Sequence, residues 1–366
     1  MPAASDPAQS DAITLPLPSQ PMDCACHPTR ASAFAVALIS GRILAYNTHP
    51  SASTAWRPSL SIKAHKDSCR STCFTSDGRL LLTASVDRSA LAIDFETGKP
   101  AARLRGAHAA ALSRVIGLPE ATGFCTAADS GELKLWDTRQ QLAVACHQAH
   151  TDFVTDVAVE AGKQCMLSVG ADGCLSVLDL RANKVLAKSD GDPDDELLSV
   201  ATVKNGALVA CGAQSGGIDL FQWGQFEARM ERITGCPASV DALASYDSDT
   251  LIAGCEDGLL RLLNVQPNKA FGVVPRDSTA KDPSAVERIA LSCDKRHLVC
   301  VAHENAVQLC DLSFLRDQGP GSDDEEAQQE AEQTDPERRI RKKARKKSSG
   351  SMKDNAKASN MFADLL

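Results

Sequence analysis

The sequence predicts an all-β fold, a seven-bladed β-propeller followed by a charged tail, on three observations. The first is the stretch Asp129–Asp137, in which a turn at residues 129–131 leads into alternating apolar and polar residues that end in Trp136-Asp137. Period-two alternation after a glycine turn is typical of a half-buried antiparallel strand. The second observation is that weaker copies of this pattern recur along the chain. The third is their even spacing, with turns at residues 41, 88, 131, 173, 216, 258 and 305. A repeat of roughly 40–45 residues predicts one four-stranded propeller blade for each copy.

The N-terminal end of the ring follows from what the last repeat lacks. Residues 1–11 are small and polar, and we expect them to be disordered. Residues 12–17 predict a short strand whose prolines favour an edge position. The seventh repeat ends its third strand near Asp311, and no fourth strand follows it. We therefore expect residues 12–17 to form the outer strand of the last blade, closing a propeller of residues 12–315. Such closure removes two exposed sheet edges.

Repeats two to four each carry an Ala-His pair, followed 21 or 22 residues later by the aspartate of the turn. The predicted pairs are His65–Asp87, His108–Asp129 and His150–Asp172, with Ser85 and Ser168 as expected hydroxyl partners. A catalytic triad should occur once, in a cleft with an oxyanion hole. Because this set recurs at the structural period, we interpret it as buried polar networks that pin each blade. The sequence has no phosphate-binding loop or nucleophile elbow. We therefore expect that the protein is not an enzyme and that it binds no cofactor and no small-molecule substrate.

Repeats five to seven lack this histidine. In repeat five the acidic stretch 190–196 stands in its place, which indicates either solvated surface or a surface that receives a basic partner. We expect these later blades to be pinned less rigidly.

Charge and cysteine content limit the classes of partner. The formal net charge is −8, of which residues 1–316 carry −7 and residues 317–366 carry −1. An acidic body favours basic protein partners over nucleic acid phosphates. The 14 cysteines have no metal-binding spacing and suit a reducing compartment. The sequence shows neither a signal peptide nor an apolar run long enough to cross a membrane, so we expect a cytosolic or nuclear protein with no membrane partner.

Residues 316–366 change composition abruptly, from an acidic stretch that starts at Asp323 to a basic run at 338–347. Segments with blocks of like charge and few apolar residues are expected to be disordered. The run predicts a nuclear or nucleolar import signal, an arm that touches RNA weakly, or a segment that serves solubility alone. Its basic residues are Arg338, Arg339, Arg341, Lys342, Lys343, Arg345, Lys346 and Lys347. The apolar cluster Phe362–Leu365 is either a short docking motif or chance.

Three features together resemble the WD repeat-containing protein 55 family, including its fungal Jumonji-interacting relatives. The first is the second repeat, with His65-Lys66-Asp67-Ser68-Cys69-Arg70 and then Thr83-Ala84-Ser85-Val86-Asp87. The second is its strand end Leu91-Ala92-Ile93-Asp94, which has no tryptophan, and the third is the acidic-then-basic tail that closes on Met361-Phe362-Ala363-Asp364-Leu365. The resemblance implies a WD40 propeller that acts as a non-catalytic scaffold in the nucleolus. It also implies a role in ribosome biogenesis, in ribosomal RNA production and processing and in large-subunit maturation. The implied partners are proteins of pre-ribosomal particles.

Two other functions remain open on the sequence. Asp137-Thr138-Arg139 and Asp179-Leu180-Arg181 resemble the motif by which some propellers dock onto the adaptor of cullin-based ubiquitin ligases. A reader of basic chromatin tails would use the acidic body and the channel mouth. Whichever function holds, propellers generally bind through the loops of one face. The polar positions expected to meet a partner at that rim are Arg70, Arg114, Asp156, Asp241 and Arg288.

Overall fold

The computed structural model describes residues 12–47, 57–140, 142–276 and 284–317. Within these ranges the strands form seven antiparallel four-stranded sheets, and the predicted all-β seven-bladed propeller is confirmed. Residues 1–11, the basic run at 338–347 and the C-terminal apolar cluster lie outside the described residues.

Each blade runs from an innermost strand at the channel to an outermost strand at the circumference, in sequence order for blades 1 to 6. Blade 1 contains β2 (Pro21–Cys26), β3 (Ala33–Leu38), β4 (Arg42–Asn47) and β5 (Leu60–Lys63). Blade 2 contains β6 (Cys69–Phe74), β7 (Leu80–Ser85), β8 (Ser89–Asp94) and β9 (Pro100–Arg105). Blade 3 contains β10 (Leu112–Gly117), β11 (Gly123–Ala128), β12 (Glu132–Asp137) and β13 (Ala143–Gln148). Blade 4 contains β14 (Val154–Glu160), β15 (Cys165–Gly170), β16 (Leu175–Asp179) and β17 (Lys184–Lys188).

The remaining blades follow the same plan, with one exchange at the end. Blade 5 contains β18 (Leu197–Val203), β19 (Leu208–Ala213), β20 (Ile218–Gln222) and β21 (Glu231–Ile233). Blade 6 contains β22 (Val240–Ser245), β23 (Thr250–Cys255), β24 (Leu260–Asn264) and β25 (Lys269–Val274). Blade 7 contains β26 (Val286–Leu291), β27 (His297–Ala302), β28 (Ala306–Asp311) and, outermost, β1 (Ile13–Pro16).

Small side chains in the middle strands let neighbouring blades pack face to face. In blade 1, Ala35, Ala37 and Ala45 are fully buried against Phe74 and Leu81 of blade 2. The outermost strands alternate between half-buried and exposed residues, as β13 does along its whole length. Cysteine serves as another small core residue, and all fourteen cysteines are free thiols. The core is therefore a ring of inter-blade layers around the channel.

The ring closes between the two ends of the propeller. β1 pairs antiparallel with β28, from Ile13 opposite Leu309 to Pro16 opposite Ala306. Leu15 is buried in a cluster that joins blade 7 to blade 1. Because β1 covers the outer edge of β28, that edge is not left with unpaired backbone groups.

After the propeller the chain forms one helical turn, α1 (Phe314–Asp317). In the ranges that the structure describes, no helix is long and apolar enough to cross a membrane.

We predict that deletion of residues 1–18 lowers the melting temperature, because it removes β1 and exposes the edge of β28.

Leu15→Ala should lower the free energy of unfolding by about 2–5 kcal/mol, as is usual for a buried leucine. Ile13→Ala is the matched control: Ile13 begins the same strand but is 41% exposed, so this change should cost clearly less than Leu15→Ala. Calorimetry and urea unfolding provide both measurements. A truncated protein that melts like the intact one would contradict closure through β1.

Candidate functional site

A β-bulge interrupts the beginning of every innermost strand. In β6, for example, Cys69 pairs with Ser85 and Ser71 with Ala84, which leaves Arg70 as the extra residue. The seven extra residues are Met22, Arg70, Ser113, Thr155, Leu198, Asp241 and Glu287. All seven line one cavity of about 520 Å³ at the end of the channel where the innermost strands begin. These seven residues define the channel mouth.

The residue after each bulge forms a second tier, one step deeper in the channel. Its polar side chains hydrogen-bond the backbone of the next blade, so that they tie adjacent innermost strands together. These bonds join Asp23 to Thr72 N (2.8 Å), Ser71 to Val115 N (3.2 Å), Arg114 to Thr155 O (2.7 Å), Asp156 to Val200 N (3.1 Å) and Ser199 to Val240 O (2.9 Å). A bulge re-aims the side chains on either side of it. Here it separates residues that face the cavity from residues that hold the ring.

The five predicted rim contacts divide between these two tiers. Arg70 and Asp241 belong to the channel mouth. Arg114, Asp156 and Arg288 each follow a bulge and belong to the second tier. Arg114 is only 5% exposed and lies at the base of the cavity, below the rim, so its contact with a partner stays a prediction. The sequence does not show where a one-residue bulge falls, and a shift of one position exchanges an exposed residue for a buried one.

Two arginines of the second tier bridge the channel. Arg114 Nε and Arg288 Nη2 both donate to the carbonyl oxygen of Thr155, at 2.7 and 3.2 Å. Arg288 Nη1 also donates to the carbonyl oxygen of Asp241, at 2.8 Å. These bonds run from blades 3 and 7 to blades 4 and 6. Among the described residues Arg114 Nη2 is buried without a hydrogen-bond partner. A partner that enters the mouth would therefore meet fixed guanidinium groups at the base of the cavity.

Buried carboxylates balance these arginines. Arg114 Nε lies 3.5 Å from Asp156 Oδ1, and Arg114 Nη1 lies 3.7 Å from Asp23 Oδ2. Burial raises the pKa of Asp156 to about 6, although the charge of Arg114 opposes the rise. Burial raises the pKa of Asp23 as well. These contacts make the second tier a structural charge cluster. The cost of desolvating its charges explains why Asp23, Arg114 and Asp156 also hydrogen-bond the backbone.

Carboxylates gather on one side of the channel mouth, at blades 6 and 7. Burial raises the pKa of Asp241 to about 6; a hydrogen bond from Ser239 opposes this, and the charges of Glu256 and Glu287 add to it. Ser239 Oγ donates to Asp241 Oδ2 at 3.0 Å and to Glu256 Oε2 at 3.3 Å. Glu287 hydrogen-bonds the exposed ring of His303 at 2.8 Å. A cationic group bound here would stabilise carboxylates that now repel each other.

The other sides of the mouth are neutral or apolar. Arg70 Nη1 donates to both carboxylate oxygens of Asp129 at 2.8 Å, which neutralises the pair. Phe153 lines the same cavity and is 38% exposed, and Met22 and Leu198 line it as well. The mouth thus offers an apolar surface beside an acidic one, the combination that a protein segment with basic and apolar side chains would fit.

The histidine networks lie between the blades' strands, away from the mouth cavity. His150 hydrogen-bonds Asp172 through Nδ1 at 2.9 Å and Ser168 through Nε2 at 2.8 Å. His65 bonds Thr83 at 2.8 Å and Ser89 at 2.9 Å, and its Nδ1 lies 3.4 Å from Asp87. Burial lowers the pKa of His65 to about 4, so this ring is neutral at physiological pH.

Ser85 does not fill its predicted role, because its hydroxyl contacts the backbone of its own blade: it donates to Asp67 O at 3.5 Å and accepts from Asp87 N at 3.1 Å. Thr83, two residues earlier on β7, places its hydroxyl against the ring of His65 instead.

The predicted pair His108–Asp129 is wrong. His108 Nδ1 bonds Glu132 Oε2 at 2.7 Å, and His108 Nε2 bonds Thr126 at 2.8 Å. Asp129 is held by Arg70 of the neighbouring blade. Glu132 has one more methylene group than aspartate and can reach the ring from the next turn position. The spacing already differed, because Asp129 stands 21 residues after His108 and two before Gly131, whereas Asp172 stands 22 residues after His150 and one before Gly173. Only the structure shows that Arg70, 59 residues away, takes Asp129 as its partner.

Blade 5 is pinned by residues that the sequence analysis did not select. Asp195, from the acidic stretch, is 7% exposed and accepts hydrogen bonds from the backbone and hydroxyl of Ser215 at 2.9 and 2.7 Å. Arg232 Nη2 donates to Asp195 at 2.8 Å and to Asp219 at 2.9 Å. The interpretation of the whole stretch as solvated or partner-binding surface therefore fails at Asp195. The sequence did not single out Arg232, because charged residues are common on an outermost strand.

Arg139 and Arg181 lie on the face opposite the mouth, just after β12 and β16 end. Arg139 is fixed by its own strand end, where Nε and Nη2 bond the carboxylate of Asp137 at 2.9 and 2.5 Å. The backbone N–H of Arg181 donates to Asp179 at 2.7 Å. The two arginines therefore cannot share a contact surface with the channel mouth. Over the described ranges, no group of three or more potential ligands could hold a metal ion.

Comparison with known proteins identifies relatives over most of the chain. A profile of the WDR55 family matches residues 13–315. The chain is 36% identical over 290 residues to WD repeat-containing protein 55 of Arabidopsis thaliana, which covers 79% of each protein. It is 32% identical over 252 residues to the mouse protein of that name, covering 69% of this chain and 63% of the mouse protein. It is 28% identical over 358 residues to WD repeat-containing protein JIP5 of Malassezia globosa, covering 84% of this chain and 83% of that protein.

We predict that His108 is energetically coupled to Glu132 and not to Asp129. His108→Ala should lower the free energy of unfolding by about 1–3 kcal/mol, because it leaves buried polar groups unpaired. In urea unfolding, a double-mutant cycle with Glu132→Ala should give a coupling energy of about 0.5–3 kcal/mol. The matched cycle with Asp129→Ala should give no coupling beyond about 0.5 kcal/mol. Equal coupling in the two cycles would contradict the exchange of partners.

Proposed function

Because the chain belongs to the WDR55 family of WD-repeat proteins, we propose that it is a non-catalytic scaffold of ribosome biogenesis that binds a basic protein partner at the channel mouth. The proposed site of action is the nucleolus, in ribosomal RNA processing and maturation of the large subunit. The proposed partners are proteins of pre-ribosomal particles.

The observation that supports this binding site is that the bulges separate residues that hold the ring together from residues that face the cavity. Second-tier residues are engaged with the backbone of neighbouring blades, whereas mouth residues from all seven blades face one cavity. A single surface built from every blade is held rigidly by the ring. Rigid placement lowers the entropic cost of ordering a binding site.

Charge supports a basic partner. One side of the mouth carries Asp241 and Glu287 beside Glu256, whereas the guanidinium groups of Arg114 and Arg288 lie at the base of the cavity and are held by the ring. Residues 1–316 account for nearly all of the net charge of −8. An acidic surface increases the encounter rate with basic proteins and disfavours RNA phosphates. Proteins that bind ribosomal RNA must themselves be basic on their RNA-binding surfaces. Pre-ribosomal proteins therefore have the charge that this mouth accepts.

The basic run at 338–347 supports the proposed location. Eight of its ten residues are basic, which suits the acidic groove of an import receptor or a weak contact with RNA. The acidic residues at 323–337 would compete with RNA for the run and leave import as its main use.

We predict that charge reversal at the mouth removes partners. Glu287→Lys in the tagged full-length protein should deplete pre-ribosomal proteins from the co-purifying set and weaken binding of an isolated partner at least about tenfold. Glu120→Lys makes the same charge change on the opposite face, where Glu120 is exposed, and should have no effect. Binding should also strengthen as the pH rises through about 6, because Asp241 then ionises and can pair with a cation. Asp241→Asn should remove that pH dependence.

The result also separates the other functions. Depletion of histones in place of pre-ribosomal proteins would assign the mouth to chromatin tails. Loss of a ubiquitin-ligase adaptor on Arg139→Ala and Arg181→Ala, with Glu287→Lys silent, would assign the main contact to the opposite face. An unchanged co-purifying set for Glu287→Lys would overturn the mouth as a binding site.

We predict that replacing the eight basic residues of 338–347 with serine moves the protein out of the nucleolus and slows large-subunit maturation. The melting temperature should not change. Fusing a heterologous import signal to this variant distinguishes two roles of the run. Restored maturation indicates an import signal alone, and nuclear entry without maturation indicates a functional contact. Nucleolar accumulation of the unfused variant would contradict the assignment.

A further inference from the structure

Blade 6 places a thiol where blades 2 to 4 place their histidine. In blade 4 the carbonyl of His150 packs against the turn glycine of the preceding blade, Gly131, which has no Cβ to obstruct it. In blade 6 the carbonyl of Cys236 packs against Gly216 in the same way. Cys236 is therefore the structural counterpart of the histidine, although the sequence around it gives no such motif.

A second thiol occupies the space of the missing ring. In blade 4 the second strand ends at Gly170, and a Cβ there would lie 2.9 Å from Nδ1 of His150. The corresponding end of β23 is Cys255, which is fully buried. Cys236 packs against the buried cluster that contains Cys255. Two sulfur atoms thus share the volume that an imidazole fills elsewhere in the ring.

A guanidinium group lies beside this pair. Arg261 donates to both carboxylate oxygens of Asp257, at 2.9 and 2.5 Å, and its positive charge acts on the thiols of Cys236 and Cys255. The hydrogen bond from Cys255 and then the charge of Arg261 hold the pKa of Cys236 below its usual range. An adjacent cation and a thiol donor both favour the thiolate, which is the reactive form of cysteine.

Accessibility separates Cys236 from the other thiols. Cys236 is half-buried, in the loop between β21 and β22, whereas Cys255 is fully buried. Burial raises the pKa of Cys69 and Cys125. Cys146 is exposed, but burial of its sulfur and the carboxylate of Glu132, 2.8 Å away, raise its pKa. Only at Cys236 do partial exposure, a cation and a partner thiol occur together among the described residues.

We propose that Cys236 is a peroxide-reactive thiol and that Cys255 resolves its oxidised form into an intrachain disulfide. Reactive thiols beside a resolving cysteine are typical of redox-sensitive sites. The proposal rests on blade 6 alone and does not depend on the proposed function. The oxidant is a hydroperoxide such as hydrogen peroxide.

The reaction has two steps. The Cys236 thiolate attacks one oxygen of hydrogen peroxide, the O–O bond breaks, and the leaving hydroxide takes a proton to become water. Cys236 is then a sulfenic acid. The sulfur of Cys255 attacks the sulfenic sulfur, the S–O bond breaks, and water leaves with the proton of the Cys255 thiol. The two cysteines lose two electrons in total, and the peroxide gains them as it becomes two molecules of water.

The test uses the reduced full-length protein, treated with a small excess of hydrogen peroxide and sampled over time by peptide mass spectrometry. Cys146 and Cys293 are the internal comparators, because both are exposed thiols in the same molecule. We expect Cys236 to be oxidised at least about tenfold faster than either, with the Cys236–Cys255 disulfide as the main product. If accessibility alone decides, Cys146 and Cys293 react first, and that order would overturn the proposal.

A variant separates the two steps. In Cys255→Ser, Cys236 should still react, and its sulfenic acid should persist long enough to be trapped with dimedone. Formation of the same amount of trappable sulfenic acid in the unmodified protein would show that Cys255 does not resolve it. If Cys255→Ser does not fold, the rates and the disulfide map of the unmodified protein still decide the outcome. Cys236→Ser should abolish the disulfide and leave the oxidation rates of Cys146 and Cys293 unchanged.

Discussion

The pairing of β1 with β28 is the interaction on which the rest of the structure depends. Six blades are built from consecutive strands, and each leaves its outer edge at the circumference. The seventh blade lacks a fourth strand of its own and takes one from the other end of the propeller. The exchange converts a linear row of sheets into a ring, because it joins both ends of the row in one sheet. Without a ring there is no channel, and the seven bulges would not face a common cavity.

Each blade must also satisfy polar groups that the packed sheets bury, and the chain does so with different chemistry from blade to blade. An imidazole bridges a carboxylate and a hydroxyl in blade 4. In blade 5 the ion pair of Asp195 and Arg232 takes this place. In blade 6 two thiols beside Arg261 fill it. The position constrains volume and hydrogen bonding rather than residue type. Its chemistry can therefore change while the fold is kept, as in the reactivity that we propose for Cys236.

The bulges separate structural from exposed residues at the channel. A bulged residue is not paired in the ladder and turns toward the cavity, whereas the next residue turns toward the neighbouring blade. Charge can be placed in the second tier only where the backbone accepts it, which is why Arg114 and Arg288 share one carbonyl oxygen. In the mouth the bulged residues are not required to hold neighbouring blades together, so charge there can suit the partner that we propose. The acidic side near Asp241 is consistent with this difference.

The sequence alone determined the fold class and the number of blades, because both follow from local patterns. Alternation with period two sets which side chains enter the core, and turn residues such as Gly131 and Gly173 set where strands reverse. The missing fourth strand of the last repeat is also visible along the chain. The tertiary structure decided which polar residues meet. The Arg70–Asp129 and Arg232–Asp195 contacts join residues 59 and 37 positions apart, and the cavity gathers side chains from all seven blades. Contacts of that range depend on how blades pack against each other and on a one-residue register shift, and neither leaves a periodic trace in the sequence.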